Sequence, residues 1–224
     1  ILARHEIPTE FPPEALAEAG SLPDDIDPAV LEGREDFRNL EAVTIDGETA
    51  HDFDDAVNVR LHPDGHFTLW VHIADVSHYV APGGALDTEA FIRGTSVYFP
   101  DRAVPMLPPR LSSDLCSLLP DRDRLTFTAV MDIDGKSGKI KRARFAPSVI
   151  RSRARMTYTQ VAKILQGDEA LCRQFSGLVL HFKVMEALFL VLNRRRRKLG
   201  AIDFDLPESV VLFDAEGNVA DVVR

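Results

Sequence analysis

Residues 44–57 read Thr44-Ile45-Asp46-Gly47-Glu48-Thr49-Ala50-His51-Asp52-Phe53-Asp54-Asp55-Ala56-Val57. Apolar segments flank an acidic block that is itself a poor strand former. Residues 42–45 read as a strand entering the block. Residues 56–61 alternate through Val57, Val59 and Leu61 and read as a strand leaving it. His62-Pro63-Asp64-Gly65 is a turn. Residues 67–73 alternate again, which predicts Phe67, Leu69, Val71 and Ile73 on one face. The unit is a β-hairpin with a carboxylate-rich loop at its entry.

Further strands are predicted downstream over 125–133, 140–145 and 148–153, the last two split at Pro147. A turn over 135–138 joins the first two. The period then becomes helical. Residues 158–165 form one predicted helix with Thr157 as its N-cap, and 169–199 are mostly helix, ending at Gly200. Shorter helices are expected over 86–93 and 113–118, with a Pro-rich extended stretch over 97–109 between them. Residues 1–33 are rich in proline and acid. There Pro12 and Pro13 can begin a short helix over 14–19, which Gly20 would end. This segment reads as a connector, which implies that something folded once preceded residue 1, and 34–224 as a catalytic unit. The expected class is α+β: a mixed, largely antiparallel sheet with packed helices and no internal repeat.

With 224 residues, 45% of them hydrophobic, the chain can bury one sizeable core. The longest apolar run, 187–192, falls far short of the ~20 residues that span a bilayer, so no membrane association is expected. The first residues lack the pattern of a secretory signal, and also a starting Met, so the chain is expected to be processed or cut from something longer. Cys116 and Cys172 show neither CxxC pairing nor a histidine at zinc spacing and read as thiols in a reducing, cytoplasmic compartment. The net charge of −9 is unevenly spread. Residues 1–55 hold 16 acids against 3 bases, whereas 56–224 hold 19 acids against 23 bases. A mildly basic remainder, densest over 136–155 and 194–198, is permissive for a polyanion.

Four aspartates within ten positions repel one another unless a cation neutralises them. Carboxylate oxygens suit Mg²⁺, with Mn²⁺ as a substitute. If the backbone is extended, Asp52 and Asp54 point one way and Asp55 the other, while Gly47 lets Asp46 fold back. A calcium loop of the EF-hand kind is excluded, because counting from Asp52 places Val57 where glycine is required and Pro63 where the closing glutamate belongs. On residue types alone, two readings stand: a solvated acidic loop, or a metal site for phosphoryl transfer.

The ordered neighbours of the block resemble a known family. Thr44-Ile45-Asp46 followed by Asp52-Phe53-Asp54-Asp55-Ala56 is similar to the catalytic signature of the ribonuclease II and ribonuclease R family, the RNB domain. His72-Ile73-Ala74-Asp75-Val76-Ser77-His78-Tyr79-Val80, Thr95-Ser96-Val97-Tyr98-Phe99-Pro100 and Leu111-Ser112-Ser113-Asp114-Leu115-Cys116-Ser117-Leu118 agree in the same order. Ser96-Val97-Tyr98-Phe99-Pro100 is closer to the ribonuclease R version. The resemblance implies processive 3′→5′ hydrolysis of single-stranded RNA to nucleoside 5′-monophosphates with Mg²⁺. It implies Asp46 and Asp55 as direct metal ligands, Asp52 and Asp54 as catalytic and metal carboxylates, and Asp54 as the most critical. It also implies Tyr98 stacking on the 3′-terminal base, with Phe204 completing that clamp.

The family's domain continues beyond the matching portion. There it carries an arginine on the phosphates and a glutamate near the leaving group, and OB-type cold-shock and S1 modules flank it. The resemblance therefore implies the N-terminal part of a truncated catalytic domain, weakly active or inactive alone. A non-catalytic RNA-binding relative or inert fragment is the alternative. Blander readings apply elsewhere. His72 and His78 read as core or surface histidines, and Trp70 as core. Asp75 reads equally as a loop cap or as support for the site. The 194–198 run reads as the solvated end of a helix or as part of an RNA channel.

Overall fold

The computed structural model describes residues 3–5, 7–202, 209–214 and 218–223. Its strands are β1 (Glu35–Asp36), β2 (Val43–Asp46), β3 (Asp55–Leu61), β4 (Phe67–Ala74), β5 (Val97–Tyr98), β6 (Ala103–Val104), β7 (Asp123–Ile133), β8 (Ile140–Arg151), β9 (Ala154–Thr157), β10 (Val210–Phe213) and β11 (Val219–Val223). Its helices are α1 (Pro13–Ser21), α2 (Val76–Tyr79), α3 (Ala85–Arg93), α4 (Tyr158–Leu165), α5 (Glu169–Gln174) and α6 (Val179–Lys198). One seven-stranded sheet runs in the order β1-β8-β7-β4-β3-β2-β9. Its four central pairings are antiparallel, and parallel pairings close both edges, β1 on β8 and β2 on β9. The fold is thus α+β with a largely antiparallel sheet, as the sequence pattern implies.

Four sequence expectations need correction or refinement. First, β8 runs straight through Pro147. Phe37 N–H bonds the Val149 carbonyl on the β1 side of the strand. Two residues earlier, the Pro147 nitrogen faces that same side, where β1 has not yet begun, so no ladder bond is lost. Second, residues 169–199 are mostly helix as expected, but in two pieces, broken between Phe175 and Leu178. Third, the strand expected over 148–153 ends at Arg151, and β9 crosses to the opposite edge of the sheet. Fourth, β4 buries both faces in part. Phe67 and Leu69 lie under α6 with Val59, Ile133 and Leu188. The opposite face buries Thr68, Trp70, His72 and Ala74, with Phe37 against the His72 ring. Because α6 covers only one end of its face, Ile73 stays 48% exposed, beside Phe127 and Phe145.

The N-terminal segment is packed into this body. Ala15 and Ala19 of α1 join the main core with Leu86, Leu111 and Ile150. Arg93 donates to the carbonyls of Pro8, Glu10 and Pro105, lies 3.7 Å over the Phe11 ring and pairs with Glu89. The α3 N-terminus lacks a cap from its own Gly84. Glu18 of α1 supplies it, its Oε2 accepting from the Ala85 and Leu86 N–H groups at 2.6 and 3.1 Å. Removing this carboxylate orphans two donors at a helix start. Glu18→Ala is therefore expected to cost about 1–2 kcal/mol, a fall in melting temperature of roughly 2–8 °C. An unchanged melting curve would refute the capping role. Among the described residues no helix is long and apolar enough to cross a membrane.

Candidate functional site

The acidic loop is shaped by Phe53. Its side chain is buried in the main core, and its N–H donates to Ser117 Oγ at 3.1 Å. The Phe53 carbonyl accepts from Leu118 N–H, and the Asp54 carbonyl accepts from Ala74 N–H. With Phe53 turned inward, alternation directs Asp52 and Asp54 outward together. Asp46 closes β2 and Asp55 opens β3, so the sheet sets both ends of the loop. Asp46 has Thr157 of β9 as its parallel partner in the sheet.

The four aspartates form one electrostatic group. Burial, then the charges of Asp52, Asp55 and Asp46, push the Asp54 carboxyl above its ordinary pKa. Burial, then Asp55, does the same to Asp46. Asp46 Oδ2 is buried without a hydrogen-bond partner. Among the described residues, however, no three acidic, His or Cys side chains already converge as a metal cage. An orphaned carboxylate oxygen with like-charged neighbours fits a divalent cation held by one or two carboxylates, its other ligands coming from water and a substrate phosphate. These side chains suit Mg²⁺ or Mn²⁺.

Tyr98 sits on the two-residue hairpin of β5 and β6, its ring 67% exposed, and its hydroxyl donates to Asp52 Oδ2 at 2.8 Å. A cleft of about 740 Å³ lies between this hairpin and the acidic loop, lined by His51, Asp52, Tyr98, Phe99 and Arg102 among others. A second cavity of about 340 Å³ holds Asp52, Asp54, Ile73, Tyr98 and Cys116. Phe204 lies outside the described residues.

Sequence reasoning missed the role of Arg155, counted above only within a basic stretch. Its Nη2 donates to the Gly47 and Glu48 carbonyls at 2.6 and 3.0 Å, and its guanidinium lies 5.5 Å over Phe53. It thereby ties β9 to the acidic loop. Much of the rest of that stretch is engaged with carboxylates: Arg144 with Glu35, Arg151 with Asp123 and Lys141 with Asp134. At the other basic run, Arg195 donates to the Gly138 carbonyl, and Arg194, Arg197 and Lys198 border an open cavity at the end of α6. His72 is a neutral core histidine, bonded to Thr128 Oγ1 at 2.7 Å and pushed down to a pKa of about 4 by burial. His78 is exposed. Asp75 pairs with Arg34 at 2.7 Å and with Ser77, holding the end of β4.

The family model described as the RNB domain matches residues 34–224. The chain belongs to the RNB family. Its RNB relatives include proteins named ribonuclease R from Aquifex aeolicus, 45% identical over 97% of this chain, and from Thermotoga maritima, 45% identical over all of it. The chain spans about a third of the length of these relatives, 31% and 32% respectively. Among solved structures, it superposes on Mycoplasma genitalium RNase R in complex with ribose-methylated single-stranded RNA with a TM-score of 0.88. That match is 30% identical and covers 99% of this chain and 34% of the other. These relatives are named as ribonucleases, which supports an exoribonuclease family for the domain.

Proposed function

We propose that this chain supplies the carboxylate side of a 3′→5′ exoribonuclease site that hydrolyses single-stranded RNA processively to nucleoside 5′-monophosphates. The observation that carries the reading is the juxtaposition of four mutually repelling aspartates with an exposed tyrosine beside a cleft large enough for a nucleotide. RNA as the ligand is supported by the RNA-bound M. genitalium relative. In this reading Asp46 and Asp55 hold Mg²⁺ directly, while Asp52 and Asp54 are further metal carboxylates that also serve the chemistry at the scissile phosphate. When bound, Mg²⁺ activates water and offsets developing charge.

The chain's own groups account for orientation. Phe53 and Arg155 fix the loop backbone, so the carboxylates need little reorganisation as charge develops. The Tyr98 ring offers a π-face to the 3′-terminal base, a contact of roughly 1–3 kcal/mol that tolerates every base. Phe204 is proposed as the second face of that clamp. Residues 1–33 are proposed as a connector and 34–224 as the N-terminal part of the catalytic domain. Cold-shock and S1 modules are proposed as its flanking partners in a protein of the relatives' length, acting in the cytoplasm.

The test uses 5′-labelled single-stranded RNA and Mg²⁺. A protein carrying this chain at the relatives' length is expected to shorten the label stepwise from the 3′ end, and EDTA to stop it. The 224 residues alone are expected to turn over weakly or not at all. Internal cleavage, or shortening that survives EDTA, would overturn the proposal.

A further inference from the structure

We propose that the Tyr98 hydroxyl is a positioning group for the Asp52 carboxylate in metal binding, a role separate from that of its ring. The inference rests on the metal reading above but concerns a different atom. An exposed tyrosine serving only as a stacking face needs no partner for its oxygen. Here the oxygen is directed at one carboxylate oxygen, Asp52 Oδ2, at 2.8 Å.

Both ends of this bond are held. Phe53 anchors the Asp52 side by its burial and its bond to Ser117. The Tyr98 side is held by the turn bond from Phe99 N–H to the Arg102 carbonyl at 2.7 Å. It is held again by Met106 N–H donating to Ser96 Oγ, and by Arg93 on the Pro105 carbonyl. The larger cleft and the smaller cavity both border Asp52 and Tyr98, so the bond stands where the two spaces meet. A carboxylate has two oxygens. The phenol occupies Oδ2 and fixes the rotation of the group, leaving Oδ1 for a cation. Hydrogen bonds to ligating carboxylates of this kind orient them, and their loss typically costs 10–100-fold in metal affinity.

The sign of one measurement decides the matter. If the hydroxyl merely occupies a ligand that a cation must displace, removing it tightens binding. If it positions the ligand, removing it weakens binding. Mn²⁺ binding to the 224-residue chain, read by electron paramagnetic resonance, is expected to weaken about tenfold in Tyr98→Phe. Tyr98→Ala removes ring and hydroxyl together and is expected to lower affinity for single-stranded RNA in EDTA as well as Mn²⁺ affinity. In an Asp52→Asn background, Tyr98→Phe is expected to change Mn²⁺ affinity no further, because the acceptor it acts through is gone. Unchanged or tighter Mn²⁺ binding in Tyr98→Phe overturns this inference alone. No Mn²⁺ binding by the unaltered chain overturns the metal reading and this inference with it.

Discussion

Asp54→Asn is expected to abolish RNA shortening by the protein at its relatives' length while raising the melting temperature of the metal-free chain. The two effects share one cause. Partial burial penalises the ionised form of Asp54, and the charges of Asp52, Asp55 and Asp46 add to that penalty. Such an arrangement stabilises a cation and a phosphoryl transition state, so losing the charge should cost at least about 100–1,000-fold in turnover. Without a cation the same charge works against the fold. A carboxyl whose pKa is raised on folding contributes a deficit that is complete above the folded value and absent below the unfolded value, about 4. Asn removes the deficit at pH 7. Because Asp54 keeps contact with solvent despite that partial burial, the gain is discounted to about 1–3 °C, and it should vanish near pH 3. Adding Mg²⁺ should reverse the order, because a ligand that binds only the folded state stabilises the unaltered chain more. Unaltered turnover in Asp54→Asn would remove the residue from the chemistry. A lower metal-free melting temperature for the variant at pH 7 would contradict the electrostatic account.

The second large effect is expected at Phe182. Its side chain is 1% exposed and packs with Val43, Met156 and Ile164, so α6, α4, β2 and β9 meet around it. Phe182→Ala should cost about 3–5 kcal/mol, a fall of roughly 6–20 °C in melting temperature. Two turns along the same helix, Phe189 is 60% exposed, and Phe189→Ala should stay within about 1 kcal/mol. Comparable losses for the two variants would show that this cluster is not where α6 is held. Val43 and Met156 lie on the pair of strands that frames Asp46, so Phe182→Ala should also weaken Mn²⁺ binding under conditions where the variant remains folded.

Local pattern carried the parts of this fold that are local. Alternation through Val57 and Val59 and through Phe67 and Leu69 marked β3 and β4. Thr157 was legible as an N-cap, and the structure adds the reciprocal bond, Thr157 N–H donating to Gln160 Oε1, that completes a capping box. Long-range pairing was not legible. β9 is four residues long and follows β8 closely, yet it pairs with a strand more than a hundred positions earlier. Nothing in Ala154-Arg155-Met156-Thr157 announces that partner. The site divides in the same way. The aspartates could be read as a group because they are adjacent in the chain and repel. Arg155 could not be singled out from a run of arginines, because its role depends on which carbonyls face it. The bond from Tyr98 to Asp52 joins residues 46 positions apart and has no local signature.

The parallel pairing of β2 with β9 also sets an order of events at the ribosome. Asp46 and its three companions are synthesised early, but Thr157, which flanks Asp46 across the sheet, follows about 110 residues later. Arg155, which ties down the Gly47 and Glu48 carbonyls, arrives with it. At 5–20 residues per second the delay is roughly 6–20 s. A nascent chain therefore carries its acidic loop for many seconds without the strand that frames it, and the site proposed here for RNA hydrolysis is assembled only after β9 has been made.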